Sequence, residues 1–305
     1  MRKSFASTMT EVGLSDSRLV VLVGDISHGI LETFRNTFPS RYFNIGICEP
    51  AMLGVASGMS AQGLFPVVHT ISPFMLERAY EQIKLDFQYQ RLGVNLISVG
   101  GAFDYSKLGC SHHCYTDFSL LSHLPDSQIF FPGSTVEFEE LFRSNYSNGK
   151  INYFRLSENP HKFKFLPSDI TSGDPIQIIE GKDLTLIVSG SNLTEVLAAE
   201  KQLSLDGISC SIIYIHTLKP LNYEKIMEDI SKTKKFMVVA SISSKGGLYS
   251  QICEKVLGWQ SVRGSQIEIT GFIEDYGNYE DLLCQAGMDV QSIVERVKDL
   301  VNETK

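Results

Sequence analysis

No stretch of this 305-residue chain approaches the roughly 20 consecutive apolar residues that span a bilayer, and no run of basic residues occurs. The first absence argues against a membrane-spanning helix. The second, with a formal net charge of -8, argues against a nucleic-acid surface. Cysteine is sparse and scattered. Cys48, Cys110, Cys114, Cys210, Cys253 and Cys284 include no C-x-x-C pair, so neither a zinc site nor a disulfide framework is signalled. Reduced thiols in a cytoplasmic protein are the expectation. The opening residues, Met1 to Met9, lack the apolar core of a signal peptide. Internal repeats and low-complexity tracts are missing as well. What remains is 43% hydrophobic and 20% charged, an ordinary globular composition with enough length for two cores.

The pattern alternates strand and helix twice over. This indicates an α/β protein of two domains, each a mostly parallel sheet flanked by helices. In the first half, Leu19–Val23, Tyr42–Ile45, Phe65–His69, Val94–Val99, Gln128–Phe131 and Asn152–Leu156 read as strands. A long helix is expected over Phe74–Gln90, and a glycine-rich loop over Gly100–His113. Residues 157–178 carry linker punctuation, with Asn159-Pro160, Pro167-Ser168-Asp169 and Ser172-Gly173-Asp174-Pro175. The domains are therefore expected at 1–168 and 169–305. In the second, strands are expected near Leu184–Val188, Ser209–Ile215, Phe236–Val239 and Gln266–Thr270. Helices fall near Leu193–Leu205, Tyr223–Ile230, Gly247–Val256 and Val290–Val301.

Chemistry is signalled first by Arg41-Tyr-Phe-Asn-Ile-Gly-Ile-Cys-Glu49-Pro-Ala-Met-Leu-Gly-Val55-Ala56. An apolar strand runs through a glycine turn into a carboxylate, then into a helix built on Met52, Val55, Ala56 and Met59. One acid is thereby placed at the C-terminal end of a strand, where α/β sheets bind ligands. An acid on a first helical turn is also favoured by the helix dipole alone.

The segment resembles the pyrimidine-binding segment of the transketolase family of thiamine-diphosphate enzymes. Three further segments resemble the same family in order. Thr70-Ile71-Ser-Pro-Phe74-Met-Leu-Glu-Arg78-Ala-Tyr-Glu-Gln82 matches the stretch that stacks on the cofactor's pyrimidine. Phe74 takes one aromatic position, and Ile71 stands where the other is often phenylalanine. Gly109-Cys-Ser-His112-His113-Cys-Tyr-Thr-Asp117 resembles the family's substrate-channel loop. Val20-Val-Leu-Val-Gly24-Asp25-Ile-Ser-His28 ends a strand in an acid that, in the family, borders the cofactor. In the second half, Leu184 to Gly190, His216-Thr-Leu-Lys-Pro220 and Gly246-Gly247-Leu resemble the transketolase C-terminal domain.

The resemblance implies that Asp25, Glu49, Ile71 and Phe74 contact thiamine diphosphate. Glu49 would hydrogen-bond the aminopyrimidine and favour its imino tautomer. His112 would handle the proton at the substrate oxygen, a task suited to imidazole. His28, His69, His113 and Arg155 would complete a polar substrate rim. Adjacent histidines also invite a metal reading, but side chains at successive positions diverge and no third ligand is spaced to join them.

The family holds the cofactor's diphosphate through a divalent metal on a Gly-Asp-Gly…Asn motif, and Gly-Asp-Gly occurs nowhere here. The resemblance therefore implies half an enzyme. A separate α-like chain would hold Mg2+, and the assembly would be α2β2. The substrate would be a small sugar. Several family contacts to a sugar phosphate fall on other residues here, with Leu108 for an aspartate, Gly100 for a histidine, Glu158 for an arginine and Gly29 for a serine. Losing cations and gaining Glu158 disfavours a phosphate dianion. The expected activity is two-carbon ketol transfer to a specialised acceptor. Two other enzymatic readings are an oxo-acid dehydrogenase β subunit and a deoxyxylulose-phosphate-synthase-like enzyme. A reading from another class is a non-catalytic scaffold subunit, for which Ile71, Leu108 and Ala240 leave room.

Overall fold

The computed structural model describes residues 1–302, so the last three positions of the second expected domain lie outside it. Two sheets organise the chain. The first contains β1 (Leu19–Val23), β2 (Tyr42–Asn44), β3 (Phe65–Ile71), β4 (Val94–Val99), β5 (Ser127–Phe130) and β6 (Ile151–Leu156). The second contains β7 (Ile176–Ile179), β8 (Leu184–Ser189), β9 (Cys210–Ile215), β11 (Lys235–Ser243) and β12 (Arg263–Ile269). A short strand, β10 (Thr217–Lys219), comes from the second half but joins the first sheet. The strand orders are β10-β5-β6-β4-β3-β1-β2 and β12-β11-β8-β9-β7. Among the strands of the described residues, β10 and β7 pair antiparallel, each at a sheet edge.

The central strands β1, β4, β8 and β9 are buried along their whole length. That explains their unbroken apolar sequences, because helices cover both faces of a parallel sheet. Since β1, β2, β3 and β4 run parallel, their C-terminal ends share one edge. Gly24, Ser72 and Gly100 follow directly from that edge, and Glu49 follows β2 after the short turn Ile45-Gly46-Ile47-Cys48.

Two differences from the sequence reading matter for the site. The helix expected over Phe74–Gln90 is interrupted. A turn of helix covers Ser72–Leu76, the chain leaves helical form at Glu77–Ala79, and helix resumes at Tyr80–Gln82 and continues as a π-helix over Ile83–Tyr89. Glu77 N and Arg78 N both donate to the Pro73 carbonyl, at 2.9 and 3.1 Å, which closes the first turn early. Apolar periodicity continues through the break, because Met75, Leu76, Ala79, Ile83 and Phe87 remain buried. The second difference is β10. Its pairing Thr217↔Phe130 ties the second half of the chain to the first sheet, and Lys219 Nζ donates to the Ser122 carbonyl at 3.1 Å.

Candidate active site

Glu49 opens the helix Glu49–Ala61 with Pro50 behind it, a residue suited to a first helical turn because it has no N–H to satisfy. The preceding turn needs glycine, since Gly46 sits at φ +78. Gly24 lets the strand ends close on one another: a Cβ there would lie 3.2 Å from Thr70 Oγ1. The Glu49 side chain is 1% exposed. Arg78 Nη1 donates to Glu49 Oε2 at 2.7 Å, and Thr70 Oγ1 donates to Oε1 at 3.4 Å.

Around this carboxylate the chain assembles an aromatic and imidazole wall. The Arg78 guanidinium lies over the Phe74 ring, 4.1 Å from its centroid. His112 meets Phe74 edge-on with ring centroids 5.1 Å apart, and Tyr105 meets His112 at 6.3 Å. Burial, then the Arg78 charge, lowers the His112 pKa, so the imidazole is neutral at pH 7. Ser111 Oγ lies 3.0 Å from His112 Nδ1. Ile71 ends β3 half-buried, and its Cγ2 lies 3.4 Å from where a Cβ on Gly100 would sit.

A second group lies at the ends of β1 and β3. His69 is fully buried, and its Nδ1 donates to the Ile97 carbonyl at 2.8 Å. A carbonyl only accepts, so this fixes the tautomer. Nε2 then accepts from Ser27 Oγ at 2.8 Å, and Ser27 Oγ accepts from Arg2 Nη2 at 2.9 Å. Burial, and further off the Arg2 charge, pushes the His69 pKa down to about 4. Ser27 takes the left-handed φ of 63° within this chain of hydrogen bonds, as does Asp25 at 55°. Asp25 is exposed and accepts from His28 Nε2 at 2.9 Å and from Asn44 Nδ2 at 3.2 Å. The His28 hydrogen bond, then that of Asn44, holds its carboxyl below the usual range.

Arg2 also reaches Glu158, with Nη1 to Oε1 at 3.7 Å. Its charge is thus shared with an acid. Asp104, beside them, accepts from Glu158 N at 3.1 Å and Asn159 Nδ2 at 3.2 Å. Burial pushes the Asp104 carboxyl up to about 6 despite those donors.

Two residues expected on a polar rim are largely withdrawn from solvent. Arg155 turns into the packing between the domains. Its Nη1 donates to Asp117 Oδ2 at 3.2 Å and to the Ser241 carbonyl at 3.1 Å, and its guanidinium lies 3.7 Å from the Phe131 ring centroid. The side chain is 10% exposed, so its charge is already matched inside the protein. A strand residue beside the C-terminal edge reads the same in sequence whether it faces substrate or a buried acid. His113 is likewise buried, against the backbone of Ile273 and Ser106, and neither ring nitrogen meets a hydrogen-bond partner of good geometry. The adjacent imidazoles therefore point to different surroundings. Among the described residues, no group of three or more His, Cys, Asp or Glu side chains is placed to hold a metal ion.

Sequence reasoning missed the position of Arg78. It was legible as a cation in an apolar helix, but its contact with Glu49 depends on the helical interruption. Tyr105 was missed too, because nothing marks one loop tyrosine among others.

Comparison with known proteins gives two family matches in chain order. Residues 1–161 match the transketolase pyrimidine binding domain, and residues 176–293 match the transketolase C-terminal domain. A 6-deoxy-6-sulfo-D-fructose transketolase subunit from Clostridium sp. strain MSTE9 is 25% identical, over 83% of this chain and 80% of its own length. One of the apulose-4-phosphate transketolase subunits of Phocaeicola vulgatus is 24% identical, over 99% of this chain and 97% of its own length. A solved split-gene transketolase, described as an inactive β4 tetramer, superposes with a TM-score of 0.89 at 26% identity, covering 100% of this chain and 99% of that one.

Proposed function

The chain belongs to the transketolase family, and from that footing we propose that it is the β-like subunit of a split transketolase. It transfers a two-carbon ketol unit to a specialised sugar acceptor, in the cytoplasm, within an α2β2 assembly. The observation that carries this reading is Glu49: a buried carboxylate at the strand ends, beside Phe74 and His112. The end-to-end match with subunit-length relatives supports it, since the chain spans 97% and 99% of their lengths and leaves too little for a metal-binding half. The proposed domain boundary stays at 168/169.

The pyrimidine half of thiamine diphosphate fits the residues present. Glu49 Oε1 receives only the 3.4 Å hydrogen bond of Thr70, so it retains acceptor capacity for a ring nitrogen. Phe74 offers an aromatic face and Ile71 an apolar one. The metal-held diphosphate does not fit this chain, because the described residues supply no cluster of oxygen ligands for a hard cation. We assign Mg2+ to the α-like chain and its Gly-Asp-Gly…Asn motif.

When bound, thiamine diphosphate supplies the electron sink that lets the carbon–carbon bond beside a ketose carbonyl break. The chain's own residues orient and move protons. Glu49 would hold the pyrimidine nitrogen through a carboxylate that is itself 1% exposed, where a hydrogen bond is strong. His112, neutral at pH 7, exchanges a proton with the substrate oxygen through Nε2, while Ser111 holds Nδ1. His69, locked as the Nδ1–H tautomer, orients Ser27 and through it Arg2. His28 and Asp25 form the exposed lip.

At the distal end, Glu158 faces Arg2. A phosphate dianion there would have to displace or face that carboxylate, so an unphosphorylated or nucleotide-linked sugar or a keto acid suits the site better. Keeping Glu49, Phe74 and His112 together also counts against a scaffold role. The test is a ketol-transfer assay with a panel of acceptors, run on this chain mixed with an α-like chain. Turnover with unphosphorylated acceptors and poor use of ribose 5-phosphate supports the reading. Strong preference for ribose 5-phosphate refutes the substrate assignment, and no turnover with any acceptor refutes the enzyme.

A further inference from the structure

Arg78 combines two contacts that the proposed function reserves for the cofactor. Its Nη1 donates to Glu49 Oε2 at 2.7 Å, and its guanidinium lies 4.1 Å from the centroid of the Phe74 ring. A guanidinium is planar and delocalised, presents N–H donors along its edge and stacks on aromatic faces. An aminopyrimidine shares the plane, the donors and the preference for an aromatic face, and it too carries positive charge when its ring nitrogen is protonated.

We propose that Arg78 occupies the pyrimidine site of the cofactor-free chain, and that cofactor binding displaces it. The inference rests on the assignment of Glu49 and Phe74 to the pyrimidine. A buried carboxylate without a partner is costly, and the Arg78 guanidinium supplies that partner to Glu49. Arg78 serves because it can leave. Its side chain is 43% exposed while that of Glu49 is 1% exposed. It also stands in the non-helical interruption Glu77–Ala79, so moving it breaks no regular helical turn. Glu77 is anchored separately by Thr116 Oγ1 at 2.6 Å, which keeps the interruption in place when Arg78 swings out.

Competition of this kind reduces apparent affinity by the fraction of chains with the site open. Removing the competitor raises it. The experiment is calorimetric titration of thiamine diphosphate with Mg2+ into this chain assembled with its α-like partner, comparing wild type with Arg78→Met and Arg78→Lys. Arg78→Met keeps the stem but has no donor, and should bind about three- to tenfold tighter, in line with a half-exposed ion pair. Arg78→Lys keeps the charge without the plane and should fall between. On the unassembled chain, a double-mutant cycle of Arg78→Met and Glu49→Gln in urea should show positive coupling without any ligand. Circular dichroism checks that each variant is folded. If wild type binds and Arg78→Met binds equally or more weakly, Arg78 does not compete and the inference is overturned. Zero coupling in the cycle overturns it as well. If wild type itself fails to bind, the assignment of Glu49 falls first and this inference falls with it.

Discussion

His161 Nε2 lies 2.8 Å from Glu137 Oε1, and both side chains are closed to solvent. The pair joins three separate parts of the chain. Glu137 sits in the helix Thr135–Asn145 of the first half, and His161 lies in the connecting segment. Tyr214, on β9, donates its hydroxyl to Glu137 Oε2 at 2.5 Å. Gly133 N donates to the same oxygen at 2.9 Å. The carboxylate is thus one point at which the two halves of the chain and their connecting segment meet.

Burial raises the Glu137 pKa, but the His161 hydrogen bond and charge, with Tyr214 and Gly133, outweigh it and hold the carboxyl below its ordinary value. A carboxyl depressed in the folded state stabilises above its unfolded pKa, and that stability is lost as pH falls through the folded one. Glu137→Ala should cost about 3–5 kcal/mol, since it leaves buried donors unpaired. It should also remove part of the acid sensitivity. Urea denaturation at neutral and at acid pH measures both.

His69 gives a pH dependence in a different window. Its pKa is pushed from 6.5 down to about 4, so the unfolded chain binds a proton that the folded chain refuses. Stability from this group is intact above pH 6.5 and declines as pH falls from there toward 4. The whole decline is about 3 kcal/mol at 1.36 kcal/mol per pKa unit. Folding stability followed from pH 7 to 4 should show it, and His69→Phe should flatten that segment of the curve.

Asp117 and Arg155 form a buried pair within the first domain, with Tyr153 donating to Asp117 Oδ2 at 2.9 Å and Arg155 reaching the Ser241 carbonyl of the second domain at 3.1 Å. Arg155→Met should therefore destabilise by about 3–5 kcal/mol. Gly101→Ala should act on the same pair, because its Cβ would sit 2.1 Å from Arg155 Cδ. Thermal melts of both variants report the loss. Under assay conditions where the variants stay folded, a substrate-binding role for Arg155 would show instead as a raised KM.

Glu49→Ala should lower ketol transfer by at least about 10²-fold while leaving the circular dichroism spectrum unchanged. His112→Ala should lower turnover by about 10²–10⁴-fold, the range for a lost proton-transfer group, without weakening cofactor binding. Steady-state kinetics together with a binding isotherm separate the two roles.

The parallel sheets were legible because a strand covered on both faces must be apolar throughout. Leu184–Ser189 and Val94–Val99 show this in their composition alone. Edge strands carry no such mark. Ile176–Ile179 is half-buried and short, and Thr217–Lys219 pairs across the domain junction, so neither stood out. At the site, Glu49 and Phe74 were legible because each is tied to a local motif. The arrangement of Arg78 and Arg155 was not. Each arginine is oriented by a single distant carboxylate, Glu49 at 29 positions and Asp117 at 38, and such pairings leave no periodic trace. The same holds for Arg2, whose partner Glu158 lies at the far end of the first domain.

The most direct measurement is calorimetric titration of thiamine diphosphate with Mg2+ into this chain, alone and then mixed with an α-like chain bearing Gly-Asp-Gly…Asn. Tight binding only in the mixture is the expected result, because the pyrimidine pocket and the metal ligands would then lie on different chains. Tight binding by this chain alone would contradict a split site, and so would no binding in either sample.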